Sequence, residues 1–509
     1  MGEGPRIAII GAGIGGLSAA AILARRFEVD VYERAAVPGG KVRQIEIDGQ
    51  KIDSGPTVFT MDWAFQEVFE LACADLEAEV SLKKLDRLAR HYWPDGSSFD
   101  LFADRDKSAE AIHAFAGARE AANYRVFCDK TRDVYETLRE PFLRSQKPSF
   151  AGLIARQSPL ALLNTSPFST LWGALSRSFS DPRLRQLFGR YATYCGASPF
   201  RAPATLMLIA HVEQEGVWAL DGGMQSIAGA LHRLGERNGA VFHFGADVDG
   251  LVQTGDRISG VQLAGGRMRP ADIVIMNGDA AALAHGSMGA VGAQAVTLPA
   301  DMQRSQSAMT WSIVAQPRGA ALDMHTVFFS DDYGAEFDAV FERGEVPTDP
   351  TTYICAPDRA PGLPEPTGTE RLFCLINAPA KGDTHTFTDK ETAQCQERML
   401  ALLARCGLTL GPGLETAVPT TPTDFNAMFP ATGGALYGMA NHGWRASFQR
   451  PGARTKIKGL YLAGGSVHPG PGAPMAALSG KAAALAVMDD CGLTLPSPLA
   501  AMPGGISTR

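Results

Sequence analysis

RIAIIGAGIGG, residues 6–16, is the stretch of sequence that determines the fold. Its first part, Arg6–Ile10, is mostly apolar and β-branched, as in a buried strand, and it ends at Gly11, which opens the pattern GxGxxG. The alanine-rich run Leu17–Arg26 then predicts a helix, and the alternating run Phe27–Tyr32 predicts a second strand. A strand, a helix and a strand in so short a segment form the smallest parallel unit. We therefore expect an α/β fold that begins with a Rossmann-like unit.

Each glycine of the pattern has its own physical task. Gly11 permits the tight turn, Gly13 lets the backbone approach a pyrophosphate, and Gly16 lets the helix pack closely against the strand. Free N–H groups at the start of the helix would meet the negative charge of the phosphates. Because the glycines stand directly between a strand and a helix, they predict a dinucleotide site.

An acidic residue and a second glycine pair define the dinucleotide further. Glu33 closes the second strand at about the spacing where a carboxylate meets the ribose hydroxyls. The chain continues with Arg34 and then with PGGK, which ends in Gly40 and Lys41. A glycine pair with a cation suits a bound diphosphate, and a nicotinamide-binding pattern does not need this extension. The sequence therefore favours FAD over NAD.

The bulk properties exclude several classes of protein. With 509 residues, 45% hydrophobic and 20% charged, the chain has the composition of a globular protein of two or three interleaved domains. A net charge of −7 and the lack of a basic stripe exclude nucleic acid as a partner. The eight cysteines are scattered without metal-ligand spacing, so we expect neither a metal site nor disulfides, as in a reducing compartment.

Two uncharged windows bear on membranes. The windows 157–176 and 459–480 are about as long as a bilayer span, but their prolines, glycines and polar residues argue against spanning helices. The start of the chain lacks the pattern of an export signal, which favours the cytoplasm. Leu163, Phe168 and Trp172 of the first window could form a surface that docks on a membrane, and the alternative is an ordinary core helix pair. We expect a protein bound peripherally to the inner or intracytoplasmic membrane.

Patterning along the rest of the chain divides it into interleaved parts. Strand-like runs flank the turn Pro94-Asp95-Gly96, helical spacing dominates the next hundred or so residues, and strand patterns then return at Val241–Phe244, Ile258–Leu263 and Ile273–Met276. We expect an FAD-binding domain (1–80, 216–284 and 426–509) interrupted by a mixed-sheet substrate domain (hairpin 81–107, then 285–425) and by a helical, membrane-facing subdomain (108–215).

Motifs spread over nearly the whole chain resemble one family. The glycine start, ERAAVPGGK (33–41), IDSGPT (52–57), DPRLRQLF (181–188), and GLYLAGGSVHPGPGAP (459–474) are similar to the phytoene-desaturase-type carotenoid desaturases, relatives of the amine-oxidase flavoproteins. Within that family, RHYWPDGS, FGRYATY and the closing block look most like the 1-hydroxycarotenoid 3,4-desaturases, or methoxyneurosporene dehydrogenases, of purple bacteria.

The resemblance implies an enzyme and a site. It implies hydride transfer to FAD from a 1-hydroxy or 1-methoxy acyclic carotenoid, which introduces the C-3,4 double bond, with oxygen or a quinone as the external electron acceptor. It places Val248 beside the adenine and the closing glycine turn beside the flavin. The residues predicted at the cofactor, from the motifs and the resemblance together, are Gly11, Gly13, Gly16, Glu33, Arg34, Gly40, Lys41, Gly55, Val248, Gly464, Gly465, Gly472 and Met475.

Candidates for acid–base work are few. A cation left on a polyene after hydride loss is delocalised, so proton loss needs no strong base. His468, in the closing turn, could accept the proton, although it could also simply hold the turn. Asp181 and Arg185 could act on the substrate, although an acidic and a basic residue four apart on a helix also form an ordinary stabilising pair.

Rival functions share part of the pattern. These are a phytoene- or neurosporene-type desaturase, another amine-oxidase-type or protoporphyrinogen-oxidase-like flavoenzyme, and a carotenoid- or flavin-binding protein without turnover.

Overall fold

The computed structural model describes residues 4–493 except 150–151, 155–157, 159–161, 163–164 and 167. A five-stranded parallel sheet forms the centre of the molecule. It joins segments from both ends of the sequence, because the strand at residues 6–10 lies next to one at 273–276, which in turn pairs with one at 460–462. Across the sheet the strands are Leu460–Leu462, Ile273–Met276, Arg6–Ile10, Glu28–Glu33 and Val241–Phe244.

Helices pack on this parallel sheet. The helix Ile14–Leu23 follows the first strand, and all of its residues are buried, which explains a composition that is apolar on every side. The helix Ala473–Asp490 packs along it: a Cβ on Gly480 would collide with the carbonyl oxygen of Gly15. The sequence placed the first helix at 17–26, and the observed helix begins earlier, inside the glycine pattern. Further helices of this part are Asp62–Leu71, Leu76–Glu79 and Gln225–Arg237.

Smaller elements surround the parallel sheet. An antiparallel sheet comes directly after the edge strand Val241–Phe244 in the sequence, and it consists of Val248–Thr254, Arg257–Leu263 and Arg267–Pro270. The short helices Ala280–Ala284 and Gly289–Ala295 come later in the sequence. Two-stranded pairs are formed by Gln44–Ile47 with Gln50–Asp53, by Leu82–Lys84 with Trp218–Leu220, and by Pro317–Gly319 with Leu408–Leu410.

A seven-stranded mixed sheet forms a second layer. It contains the predicted hairpin, whose turn includes Gly96 at a φ of 83°, and only the pair Arg87–Tyr92 and His325–Phe328 is parallel. The long helix Asp389–Arg405 starts in a capping box between Thr388 and Glu391. In order the strands are Val418–Thr420, Ser307–Ala315, Glu370–Ala378, Thr352–Cys355, His325–Phe328, Arg87–Tyr92 and Ser98–Phe102; other helices here are Tyr333–Asp338, Pro422–Met428 and Ala446–Gln449.

The predicted helical region is helical. Its segments are Arg105–Ala116, Ala118–Leu138, Leu171–Ser178, Pro182–Gly189 and Leu208–Glu215, with a π-helix at Arg139–Leu143 and 3₁₀ helices at Arg190–Cys195 and Ala204–Met207. Within the described ranges, none of the helices combines the length and the apolar character needed to cross a bilayer. The domain boundaries drawn from the sequence stay a prediction, and so does the membrane-facing role of this region.

Candidate functional site

The two glycine turns, near the two ends of the sequence, meet at one edge of the parallel sheet. An ideal Cβ on Gly15 would lie 2.9 Å from the nitrogen of Gly464, so these main chains are almost in contact. The hydroxyl of Ser479 accepts a hydrogen bond from that same nitrogen at 3.2 Å. The turns come together because each follows the carboxyl end of a parallel strand, and those ends share an edge.

Asn277 contacts both glycine turns at this edge of the sheet, and it was not among the predicted site residues. Its amide nitrogen donates to the carbonyl of Gly11 at 3.3 Å, and its oxygen would lie 2.6 Å from a Cβ on Gly15. The residue directly follows the strand Ile273–Met276, which the sequence did predict. A polar residue at the carboxyl end of a parallel strand is the signal that could have found it.

Glu33 holds the first glycine loop in place. Its carboxylate accepts hydrogen bonds from the backbone nitrogens of Ala12 at 2.7 Å and Ala35 at 2.8 Å. The side chain also lines the adjoining cavity. The carboxylate thus shapes the loop while it remains available at the position where a ribose would lie.

The PGGK segment packs directly on the first loop. The nitrogen of Gly39 donates to the carbonyl of Ala12 at 2.8 Å, and a Cβ on Gly55 would collide with the carbonyl oxygen of Lys41. The ammonium group of Lys41 donates to the carbonyl of Leu436 at 2.7 Å, and burial lowers its pKa. The first glycine loop, the PGGK segment and the loop at Gly55 therefore border the same space.

That space is a cavity of about 1110 Å³, above the usual range for a small-molecule pocket. Gly16 does not line it; a Cβ there would collide with the carbonyl oxygen of Gly11, so Gly16 serves the close packing of helix and strand. The predicted cofactor residues that do line the cavity are Gly11, Gly13, Glu33, Arg34, Gly40, Lys41, Gly55, Val248, Gly464, Gly465, Gly472 and Met475. We call this part of the cavity the nucleotide end.

Cations at the nucleotide end suit an anionic ligand. Arg450 is 4% exposed and donates only to carbonyls, those of Tyr437, Met439 and Gly465. Burial lowers its pKa, as it does for Lys41. Within the described part of the chain, neither cation has a carboxylate within salt-bridge distance, so a diphosphate would supply the missing negative charge. Arg450 was not predicted, because no local pattern marks it.

The rest of the cavity has apolar walls, and we call it the substrate end. It extends into the helical region, where Ile154 and Phe168 line it and are 49% and 68% exposed. The apolar side chains of this wall include Leu138, Phe142, Leu143, Leu153, Leu162, Leu206, Leu208, Ile209 and Val212. Such a wall suits a long hydrocarbon better than an amine.

The predicted docking window is only partly exposed. Phe168 stands out from the surface, whereas Leu171 is buried and the ring of Trp172 packs on Phe200 with centroids 4.6 Å apart. Trp172 is therefore a packing residue, which corrects its assignment to the docking surface. Leu163 lies outside the described residues.

A buried polar group interrupts the apolar wall. Arg190 is 7% exposed, and its guanidinium donates to the Tyr194 hydroxyl at 2.6 Å. The Glu213 carboxylate accepts from the hydroxyls of Tyr191 at 2.6 Å and Tyr194 at 2.8 Å, and it lies 3.4 Å from Arg190. Burial raises the pKa of both phenols, so they remain donors. Arg190 and Tyr194 line the cavity.

A second polar chain starts beside the nucleotide end. The hydroxyl of Thr57 lies 2.7 Å from that of Tyr353, which in turn lies 2.8 Å from Nδ1 of His325. Burial lowers the pKa of His325 to about 3, so its ring is neutral at pH 7. This chain keeps the Tyr353 hydroxyl, which lines the cavity, in a fixed position.

His468 does not line the cavity. Its Nε2 lies 3.0 Å from the carbonyl oxygen of Phe142, and the Phe142 ring stands edge-on to the imidazole. Burial lowers its pKa to about 4, which makes it a weak proton acceptor. The geometry supports the alternative from the sequence, a histidine that holds the turn, here by joining it to the π-helix Arg139–Leu143.

Asp181 and Arg185 also lie away from the cavity, and they do not form the side-chain pair that their spacing suggested. Asp181 is the N-cap of the helix Pro182–Gly189, so its carboxylate turns to the nitrogen and guanidinium of Arg183. Arg185 donates instead to the carbonyls of Phe179 and Ser180. Their placement gives no support to a catalytic role.

A parallel sheet with a glycine loop, an acidic residue after the second strand and a second glycine turn at the same edge defines a dinucleotide-binding flavoprotein. The chain belongs to the flavin-containing amine oxidoreductase family, whose family model matches residues 14–488. The predicted fold class, the FAD cofactor and the assignment as an FAD-dependent oxidoreductase are thereby confirmed.

Relatives agree over the full length. The chain is 47% identical to a hydroxyneurosporene desaturase of Rubrivivax gelatinosus, over 99% of this chain and 97% of that one. It is 30% identical to a 4,4'-diaponeurosporene oxygenase of Staphylococcus aureus, over 93% and 96%. Among solved structures, a putrescine oxidase bound to putrescine matches with a TM-score of 0.59 at 15% identity, over 95% of this chain and 99% of that one, which shows the shared fold.

Proposed function

We propose that this protein is an FAD-dependent carotenoid desaturase that introduces the C-3,4 double bond into acyclic 1-hydroxy or 1-methoxy carotenoids. The observation that carries the proposal is a single cavity with a nucleotide end made of glycine loops and a substrate end with long apolar walls. The resemblance of the sequence to desaturases that act on hydroxylated acyclic carotenoids supports the substrate class.

The chain's own residues bind and orient the reactants. The loops at Gly13 and Gly464 would hold the cofactor by backbone N–H groups, with Glu33 placed for the ribose and Lys41 and Arg450 placed for the diphosphate. FAD, when bound, supplies the hydride acceptor that the reaction needs. The apolar wall aligns the polyene and excludes water, which lowers the entropic cost of bringing the reacting carbon to the cofactor.

Anaerobic single-turnover mixing tests this function. The holoenzyme is mixed with a 1-hydroxy acyclic carotenoid in detergent micelles, and the flavin and polyene absorptions are followed together. We expect bleaching of the flavin in step with a red shift of the polyene, because each new double bond lengthens the conjugated system. A red-shifted product without flavin reduction would contradict the proposal.

Two further outcomes separate the rivals. Faster turnover of phytoene than of the hydroxylated carotenoid would favour a phytoene-type desaturase, and bound pigment without any flavin reduction would favour a non-catalytic binding protein. Repeating the reaction with oxygen, and then with a quinone in place of oxygen, identifies the electron acceptor from the rate of flavin reoxidation.

We also propose that the substrate end opens toward a membrane surface. Ile154 and Phe168 are exposed and line the cavity, and the Phe168 ring stands edge-on to Trp444. The exposed Arg445 lies over the Trp444 ring at 5.0 Å. An aromatic cluster with a cation suits the interface between acyl chains and anionic headgroups, from which an insoluble polyene would enter.

Liposome flotation tests the docking. The variant Ile154→Ser/Phe168→Ser is expected to lose most of its binding to anionic liposomes while it keeps FAD. The matched control is Met268→Ser, a variant of an apolar residue that is 47% exposed on the three-stranded sheet and does not line the cavity. Equal flotation of the double variant and the control would contradict the docking proposal.

A further inference from the structure

We propose that Arg190, supported by Tyr194 and Glu213, binds the oxygen substituent of the carotenoid and thereby selects oxygenated over hydrocarbon substrates. The inference rests on the proposed function and extends it, because it assigns the preference for a hydroxyl or methoxy group to one side chain. Arg190 is then a specificity-determining residue.

Burying the Arg190 guanidinium in this wall costs free energy. Desolvation of a guanidinium is unfavourable, and a hydrocarbon ligand would form no hydrogen bond that offsets it. Arg190 is 7% exposed and lines the same cavity as apolar residues such as Leu206 and Ile209. If the wall served only to hold a hydrocarbon, an apolar side chain would be more stable at this position.

Arg190 has more N–H donors than its protein partners use. A guanidinium offers five N–H donors and no acceptor. Nη1 and Nη2 each have one hydrogen-bond partner among the described residues, Tyr194 for Nη1 and Glu213 for Nη2 at a long 3.4 Å, whereas the buried Nε has none. Only the bond from Nη1 to Tyr194 is short. The group therefore has donors to spare for an oxygen lone pair, which a hydroxyl and a methoxy group both present.

The position of Arg190 in the chain suits this role. The oxygen on C1 lies only a few bonds from C3 and C4, so its binding residue must face the reacting end of the substrate. Arg190 begins the 3₁₀ helix Arg190–Cys195, and the next residue, Gly196, packs against the side chain of Tyr437. Arg450 donates to the carbonyls of both Tyr437 and Gly465, so the C-terminal end of this helix lies near the second glycine turn.

The supporting residues fix the guanidinium. Glu213 balances its charge, and Tyr191 and Tyr194 satisfy the remaining carboxylate lone pairs. Because the phenols donate to Glu213, they leave the guanidinium as the donor that faces the ligand. A ligand without oxygen would leave those donors unpaired in a dry cavity, which is the arrangement that rejects an analogue most strongly.

The test compares two substrates on the holoenzyme. The 1-hydroxy carotenoid and the hydrocarbon with the same chromophore are measured for kcat/KM and, on the anaerobically pre-reduced holoenzyme, which cannot turn over, for Kd by quenching of tryptophan fluorescence. The variant is Arg190→Met/Glu213→Gln, which removes both charges together and so leaves no buried charge unpaired. We expect the preference for the hydroxylated substrate to fall by about 30-fold in both measurements, as for loss of a hydrogen bond to a charged group.

The matched control is Arg359→Met/Glu370→Gln. Arg359 and Glu370 form another ion pair with a buried carboxylate, at 2.8 Å, and neither lines the cavity. This variant should lower the melting temperature while it leaves the substrate preference unchanged. If the Arg190 double variant does not fold, Arg190→Lys provides a second test. It keeps the charge but lacks the planar set of N–H donors of a guanidinium, so it should still reduce the preference for the hydroxylated substrate.

The outcomes distinguish the two proposals. A wild-type protein that oxidises neither polyene contradicts the proposed function. A wild-type protein that prefers the hydroxylated polyene, with the same preference retained in the Arg190 variants, overturns only the role of Arg190. A wild-type protein that treats both polyenes equally also overturns it.

Discussion

The two ends of the cavity are built in opposite ways. At the nucleotide end the wall is main chain: a Cβ on Gly15 would lie 2.9 Å from the nitrogen of Gly464, so Gly15 has no room for a side chain. At the substrate end the wall is made of side chains from several helices, with one buried ion pair between Arg190 and Glu213.

The two kinds of wall serve different tasks of the protein. Main-chain walls leave little room for substitution, because an added Cβ meets backbone atoms. Side-chain walls can change one residue at a time without disturbing the backbone. The position that selects the substrate can therefore vary while the nucleotide end stays the same.

The strongest test of the main-chain wall is Gly480→Ala. The added Cβ would collide with the carbonyl oxygen of Gly15, so the last helix must move away from the first. We expect a loss of about 3 kcal/mol in the free energy of unfolding, as for overpacking of a close contact, together with poor FAD retention. Denaturant unfolding and the flavin-to-protein absorbance ratio measure both effects.

Gly368→Ala is its control, because no atom lies within 4 Å of the added Cβ. Its free energy of unfolding should stay within about 0.5 kcal/mol of the wild type. If Gly480→Ala behaves like this control, the two helices are not in the close contact described above.

A smaller effect is expected from Glu33→Ala. The change leaves the nitrogens of Ala12 and Ala35 without their acceptor, which loosens the first glycine loop. We expect FAD affinity to weaken by about 30-fold, or about 2 kcal/mol, measured by flavin fluorescence titration of the apoprotein.

Glu28→Ala provides the comparison, since Glu28 lies on the same strand and is exposed. Substrate preference should be unchanged in both variants, because the effect belongs to the nucleotide end alone. A changed preference in Glu33→Ala would mean that the two ends are not independent.

The smallest expected effect, taken per pH unit, concerns His468, which joins the two ends. Its pKa is lowered to about 4 in the folded state, so below about pH 6.5 the unfolded chain binds a proton that the folded chain does not. This residue therefore makes stability fall as the pH drops from about 6.5 to 4, by about 1 kcal/mol per pH unit. His468→Gln keeps a donor for the Phe142 carbonyl and should flatten the dependence.

Urea unfolding between pH 7 and 5 provides the measurement, with the exposed His113→Gln as the reference. Turnover of His468→Gln at pH 7.5 decides the remaining question. Near-normal turnover is expected for a residue that holds the turn, and a loss of several hundredfold with unchanged stability would restore the proton-accepting role.

The sequence predicted the nucleotide end well because its signals are local. The glycines of residues 11–16, Glu33 and the PGGK segment all lie within one stretch, and each has a conformational or electrostatic task that neighbours in sequence reveal. The second turn was located through its resemblance to a family. Asn277 was within reach, since the strand before it was predicted.

The substrate end was harder to predict because its contacts join distant segments. Arg190 and Glu213, for example, come from different helices. Arg450 of the nucleotide end was missed for a similar reason, since only the carbonyls around it define its position. Asp181 also shows the limit of spacing arguments: four residues from Arg185, it stands at a helix N-cap, where its carboxylate turns to the first backbone nitrogens instead.

The strand order of the parallel sheet also sets a time for cofactor capture during synthesis. The strand at residues 6–10 leaves the ribosome first, but the segment 460–490 that completes its edge is made on the order of a minute later. Until then the early glycine loop has no opposite wall. FAD can be enclosed only after the segment 460–490 has been made.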